Sequence, residues 1–335
     1  MTTSAIPWEQ PGWLEDASTW LHAEVDHLGW QPAGALEQPH IRPWSTVLRL
    51  PTDHGMVYFK ATAPSLHQEA RLTQYLSAGQ PEYFPTLLAV DVNRGWMLMR
   101  EGGTLLRSRL QATGDPAPWR TILPCYARLQ IRMIPQAEAL LQAGALDRRL
   151  ETLPGLFTTL LQDERTLRPG QPDGLTAGEY QRLQNLTPCV QELCIWLAGQ
   201  GIPCSLHHDD FHDGNIFYDG SHIVFFDWGE SCLAHPFFTL VVGLRAIAYR
   251  FGWQEDHPTL LELRQLYLQT WQSFAPLQRL EEIQRTADVL GRLNRALTWH
   301  RVVAPLEGAA FAEHAGAVSG WLQEFLAALE SLPHA

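Results

Sequence analysis

His207-His208-Asp209-Asp210-Phe211-His212-Asp213-Gly214-Asn215, followed closely by Ile223-Val224-Phe225-Phe226-Asp227-Trp228, is the stretch that decides how this chain reads. The first run holds H-x-D-x-x-x-x-N. The second is an apolar strand that ends in aspartate. Asp213-Gly214 is a turn signal, Ile216-Phe217-Tyr218 reads as a strand, and Asp219-Gly220 is a two-residue hairpin turn. His222 to Phe226 reads as the returning strand, which carries Asp227 back beside Asn215. Phosphoryl transfer from a nucleotide asks for few protein groups: a carboxylate to orient the acceptor hydroxyl, and oxygen ligands for magnesium. Asp210, Asn215 and Asp227 supply that set. Any one of them alone reads as an ordinary polar turn residue; the three at this spacing form a pattern.

These residues resemble the catalytic core of the aminoglycoside phosphotransferase and choline kinase family. His208, Asp210, Asn215, Asp227 and Trp228 match its usual form, in which a small residue stands between the histidine and the aspartate. That position is commonly glycine in these small-molecule kinases and is Asp209 here, so a second carboxylate lies beside Asp210. The resemblance implies an α+β, protein-kinase-like two-lobe fold, with a small, mainly antiparallel β N-lobe and a large, mostly helical C-lobe. It implies Asp210 as the catalytic residue, Asn215 and Asp227 as magnesium ligands, and ATP or GTP as phosphoryl donor. The histidine at 208 would then be a structural part of the catalytic loop.

Composition gives an independent indication. Of 24 basic residues, the only lysine is Lys60. A compact ammonium and a planar guanidinium are not interchangeable at a phosphate. Lys60 lies in the strand-like run Gly55-Met56-Val57-Tyr58-Phe59-Lys60-Ala61, where a kinase-like small lobe carries its phosphate-binding lysine. Pro64-Ser65-Leu66-His67-Gln68 reads as a helix start, with Ser65 as cap, Gln68 closing a capping box, and an end near Ser77 before Gly79. Glu69 in its first turn is the expected partner of Lys60. Gly95 to Gly103, with Arg100-Glu101-Gly102-Gly103 after an apolar strand, resembles the hinge between kinase lobes. There the backbone near Met99 and Glu101 would meet adenine. No G-x-G-x-x-G is present. Ser45 and Thr46, opening the strand before Asp53-His54-Gly55, are the candidate phosphate-covering residues.

At 335 residues the chain can hold one large or two medium domains. The reading divides it into an N-terminal helical extension (1–38), a nucleotide-binding N-lobe (39–101) and a C-lobe with catalytic loop and acceptor pocket (102–335). Residues 11–28, 119–133, 135–146, 176–186 and 188–200 read as helices. No run is long and apolar enough to span a membrane, and the first residues carry no export signal. Five cysteines without a C-x-x-C pair fit reduced thiols in a cytoplasm. His207, His208 and His212 lack a zinc-like ligand pattern. A net charge of −12 disfavours nucleic acid as a partner.

After Asp227 the chain has His235-Pro236 and Thr239-Leu240, where family members often carry Asp-Pro and Asp-Leu, so it belongs to a divergent branch. Trp253, Trp271, Trp299 and Trp321 are candidates for core or for an acceptor wall. The expectation is a cytoplasmic small-molecule kinase, its acceptor an amine-bearing metabolite, a sugar or an aminoglycoside. The alternative is a nucleotide-binding sensor or scaffold without transferase activity. A protein kinase is disfavoured by the lack of Ala-Pro-Glu after Asp227.

Overall fold

The structure, a computed structural model, describes residues 6–332. In chain order its first elements are α1 (Trp13–His27), β1 (Glu37–Ile41), β2 (Ser45–Thr52), β3 (Gly55–Thr62), α2 (Gln68–Gly79), β4 (Leu87–Asp91) and β5 (Trp96–Arg100). Helices α3 (Leu106–Thr113), α4 (Trp119–Met133), α5 (Ala137–Gln142), α6 (Leu153–Leu160), α7 (Glu164–Leu167), α8 (Ala177–Gln184) and α9 (Thr187–Ala198) follow, with β6 (Leu146–Asp147) among them. Then come β7 (Ser205–His207), β8 (Ile216–Tyr218), β9 (Ile223–Phe225) and β10 (Cys232–Ala234). The chain continues with α10 (Thr239–Phe251), α11 (Pro258–Gln269), α12 (Leu277–Val303), α13 (Gly308–His314) and α14 (Ala317–Glu330). Two compact units result. One holds the residues up to Arg109 with Gly214–Glu230 and Pro305–Glu307. The other holds Leu110–Asp213, Ser231–Ala304 and Gly308 onward.

The first unit is built on a five-stranded antiparallel sheet in the order β1-β2-β3-β5-β4. Side chains alternate across a strand. Val57, Phe59 and Ala61 of β3 therefore share one face with Leu48, Leu50, Trp96 and Leu98, and α1 covers that face with Ala17, Leu21 and Val25. Those three helix positions are four apart and form one apolar stripe. Trp13, Trp20, Phe59 and Trp96 meet there with ring centroids 5.3–6.2 Å apart. Each such pair adds about 0.5–1.5 kcal/mol beyond its buried area. The same alternation sends Tyr58, Lys60 and Thr62 to the opposite face.

Two local expectations change, and one strand has no reading in the sequence. Strand β1 shows no alternation in sequence and contains Pro39. It is an edge strand whose register shifts between Glu37 and His40, which accommodates a residue with no N–H to give. Ser65 does not cap α2: a 3₁₀ turn, Pro64–Leu66, precedes the helix, which starts at Gln68 with no side-chain cap bond and runs through Gly79. Gln68 instead donates from Nε2 to the carbonyl of Gly229 at 2.8 Å. The single helix expected over 135–146 is a 3₁₀ turn followed by the short α5, and the segment turns at Gly144, whose φ of +107° suits glycine, before entering β6.

The second unit is mainly helical. Its small sheet has the order β6-β10-β7, with β10 parallel to β6 and antiparallel to β7. The 27-residue α12 buries Ile283, Ala287, Leu290, Leu293 and Leu297 and packs against α14. Helix α8 opens with a capping box formed by Thr176 and Glu179. Among the described residues no helix is long and apolar enough to cross a membrane.

Candidate active site

In the first unit Lys60 projects from β3 on the face away from α1. Its Nζ lies 2.6 Å from Glu69 Oε1 and 2.6 Å from Asp227 Oδ1. Lys60 and Glu69 are buried; the Asp227 side chain is 43% exposed and so reachable from solvent. Burial by itself would favour the neutral amine, but Asp227 and Glu69 outweigh it and hold the Lys60 pKa above its ordinary value. Burial pushes Glu69 up to about 7, against the pull of Lys60. Gly229 leaves room for this carboxylate, since a Cβ there would sit 2.9 Å from Glu69 Oε2.

The hairpin β8–β9 sets the second part. Ile216 pairs with Phe225, and Phe226 N–H donates to the Asn215 carbonyl at 3.1 Å, so Asn215 lies across from the residue before Asp227. Asp227 has φ +68°, a left-handed conformation that aspartate tolerates better than most residues. Trp228 is fully buried, donates from its indole to the Phe225 carbonyl at 2.9 Å and lies against Phe84. These contacts fix the backbone beside Asp227. Two oxygen donors, one carboxylate and one carboxamide, thus end neighbouring strands, and hard oxygen donors suit magnesium.

The hairpin also carries an aromatic pair that the sequence reading passed over. Phe217 and Phe226 stack with centroids 4.3 Å apart, and a Cβ at Gly102 would collide with the Phe217 ring. A half-buried ring pair thus lies beside a glycine that follows β5. The signal was present in the unbroken apolar runs Ile216-Phe217-Tyr218 and Ile223-Val224-Phe225-Phe226, where it reads equally as core.

Register separates Ser45 from Thr46. Residues directly opposite in an antiparallel pair share a face. Ser45 lies opposite Thr62, on the Lys60 side; Thr46 lies opposite Ala61, on the α1 side. Thr46 also donates its hydroxyl to the His40 carbonyl at 2.8 Å and accepts from Gln38 at 2.9 Å. Its side chain is consumed in the β1–β2 pairing and does not share the Lys60 face. Met99 lies opposite Tyr58 on the Lys60 face, half-buried. Glu101 is exposed, and its N–H donates to the Met56 carbonyl at 3.1 Å. That amide is therefore engaged.

The second unit holds the candidate catalytic loop, which leaves β7. His208 N–H donates to the Tyr126 hydroxyl at 2.9 Å, which suspends the loop from α4. Asp209 takes φ +60°. That left-handed conformation gives a physical reason for glycine at this position. Here aspartate occupies it and its buried carboxylate is fully engaged. Oδ1 meets His207 Nε2 at 2.9 Å and accepts from Asn294 at 3.0 Å, while Oδ2 accepts from the Thr298 hydroxyl. Arg295 donates to the Asp209 carbonyl at 2.9 Å and, through Nη2, to Asp210 Oδ1 at 2.8 Å. Asp210 Oδ2 lies 3.2 Å from His212 Nε2. Of the two adjacent carboxylates, Asp209 is 2% exposed and Asp210 is 25% exposed, so only Asp210 can meet a ligand. Burial would raise the Asp210 pKa; the Arg295 guanidinium, with His212 and His208, overturns that and holds it well below the usual range. Asn294, Arg295 and Thr298 of α12 carry no local signal in the sequence.

The two departures after Asp227 have local explanations. His235 Nδ1 accepts from Phe237 N–H at 3.3 Å, capping the 3₁₀ turn Pro236–Phe238. This needs a neutral ring, and burial together with His207 pushes its pKa down to about 3. Thr239 Oγ1 meets His207 Nδ1 at 3.0 Å and thereby braces the ring that holds Asp209. Of the four tryptophans, Trp271 is fully buried core and Trp253 stacks between Phe251 and His257. Trp321 lies under Arg245, and Trp299 lies beside Arg295 at 5.6 Å.

Residues 36–283 match the model of the phosphotransferase enzyme family. No curated protein sequence matches. Among solved structures, the chain is similar to an ethanolamine kinase from Plasmodium vivax, with 11% identity, a TM-score of 0.63, and coverage of 97% of this chain and 90% of that one. It is also similar to a choline/ethanolamine kinase family protein from Mesorhizobium loti, with 15% identity, a TM-score of 0.58, and coverage of 94% and 95%. A macrolide 2'-phosphotransferase from Brachybacterium faecium shares 15% identity at a TM-score of 0.56, over 90% of this chain and 97% of that one. At such identities the likeness speaks for the fold, an α+β protein-kinase-like two-lobe fold. The family match covers most of the chain, and the chain therefore belongs to the phosphotransferase enzyme family.

Proposed function

We propose that this phosphotransferase moves the γ-phosphoryl group of ATP or GTP to a hydroxyl of a small, amine-bearing acceptor. The observation that carries the reading is the Lys60 ammonium held 2.6 Å from both Glu69 and Asp227, which joins three separate stretches of sequence at one point. Lys60, oriented by Glu69, would bind donor phosphates. Phe217 and Phe226 would floor the base, with backbone beyond Met99 at its edge. Ser45 stays a candidate on the phosphate side, while Thr46 is given no role. Asn215 and Asp227 would hold magnesium; two protein ligands leave positions for water and phosphate oxygens, as this ion prefers. When bound, the ion would offset charge on the phosphate oxygens.

Asp210, kept ionised by Arg295, would accept a hydrogen bond from the acceptor hydroxyl and aim its oxygen. A carboxylate held this low orients more than it abstracts. That suits a loose transition state, in which the hydroxyl proton leaves late.

The test is transfer of labelled γ-phosphate from ATP or GTP, with magnesium, into a panel of amino alcohols, aminoglycosides, macrolides and sugars. Label should enter one class with wild type, and Asp210→Asn should reduce its rate on the order of 10³-fold. Magnesium-dependent nucleotide binding without any transfer would favour a sensor instead. A second expectation concerns the floor: Gly102→Ala forces its Cβ against Phe217 and should raise the nucleotide Kd about tenfold, a loss of about 1.4 kcal/mol. Equal Kd values by calorimetry would remove Phe217 from the nucleotide site.

A further inference from the structure

The second unit has a half-open cavity of about 420 Å³ among α10, α11, α12 and the end of α14. It does not face the catalytic loop. On α10, Gly243 lies against Phe211 and Arg250 pairs with Asp213 at 2.7 Å. Those two positions are seven apart and share one side of the helix. Leu244, Arg245 and Ala248 line the cavity. At about 100° per residue they fall roughly 100–200° around the helix from Gly243, on the other side.

The walls combine apolar surface with uncompensated cationic and polar groups. Leu244, Leu260 and Val289 give buried hydrocarbon. Arg245 and Arg292 also line the cavity, but both are paired with Glu324, and Arg292 with Asp288 as well. Arg264 and Arg285 have no such partner among the described residues. The Nε of Arg264 is buried without a hydrogen bond. Gln284, 5% exposed and lining the same space, makes no side-chain hydrogen bond either. Glu255 is the remaining lining carboxylate and is solvent-exposed. A buried polar group left unpaired is costly, and the Arg264 Nε is one; Arg285 is exposed and stays solvated. Three donors thus line one cavity whose walls are part polar and part apolar, the composition of a recognition site.

We propose that this cavity binds an amphipathic organic anion. Its carboxylate or phosphate head lies on Arg264 and Arg285 with Gln284 donating, and its apolar body lies along Leu244, Leu260 and Val289. The fork of a guanidinium matches either head group. The site is separate from the donor and acceptor sites proposed above and does not rest on them.

Calorimetry with sodium octanoate, octyl phosphate and octyltrimethylammonium, each below its micellar concentration, tests the assignment on the full chain. One or both anions should bind at one site per chain, and the comparison between them identifies the head group. The cation should not bind there. Arg264→Met, similar in length and uncharged, should weaken the anion at least tenfold with thermal unfolding unchanged. If that variant unfolds, Arg285→Met, at an exposed side chain, carries the same expectation. Equal affinity for cation and anion, unchanged affinity in a folded variant, or binding of neither anion to wild type overturns the proposal.

Discussion

Asp227→Asn is expected to lower phosphoryl transfer on the order of 10³-fold while leaving the fold intact. The aspartate is half-exposed, so its replacement opens no cavity. Asparagine tolerates the left-handed φ of +68°. Lys60 keeps Glu69 as partner at 2.6 Å, so its charge stays compensated. What is lost is the carboxylate proposed to share magnesium with Asn215. Asp227→Ala should lose the same activity and, in addition, about 1 kcal/mol of stability, because alanine is strained at that φ. Single-turnover transfer and a melting curve measure both. An asparagine variant within tenfold of wild type would remove Asp227 from the metal site.

Arg295→Met has the largest expected effect on stability, a loss of about 3 kcal/mol. Arg295 is buried and bonds both the Asp209 carbonyl and the Asp210 carboxylate. Its removal leaves two adjacent carboxylates among buried groups. The pH dependence has a definite sign. In wild type the folded Asp210 pKa lies below its unfolded value, so its contribution is present above the ordinary carboxylate range and is lost as pH falls through the folded pKa. Without the guanidinium only His212 and His208 oppose burial, so the folded pKa rises from its wild-type position and less of that contribution remains. The stability gap between the two proteins should be widest near neutral pH and narrow towards pH 4. The transfer rate of the variant should also gain an acid limb. Urea denaturation at several pH values and a rate profile measure these; parallel curves would exclude the proposed clamp.

What was readable in the sequence was local or singular. The spacing of Asp210 to Asn215, the Asp219-Gly220 turn and the apolar run into Asp227 are short-range patterns, and the hairpin forms across those residues. Lys60 stood out because it has no competitor in composition. What was not readable depends on pairing across distance. Ser45 and Thr46 are neighbours in sequence, and only the register with β3 puts one on the Lys60 face and the other under α1. Asp209 looked like a rival base, because the α12 residues that enclose it lie 85 to 89 positions further along. Gln68 looked like a capping residue, because the carbonyl it meets belongs to Gly229.

The solitary lysine has a practical consequence. Guanidinium groups remain protonated at neutral pH and resist acylation, so an amine-directed reagent finds a single side-chain address in these 335 residues. That address is 7% exposed and gripped by two carboxylates. The rate of adduct formation at Lys60, read by mass spectrometry, is therefore a clock for local opening around β3 and α2. A donor nucleotide that occupies the ammonium should slow that clock without any need for turnover.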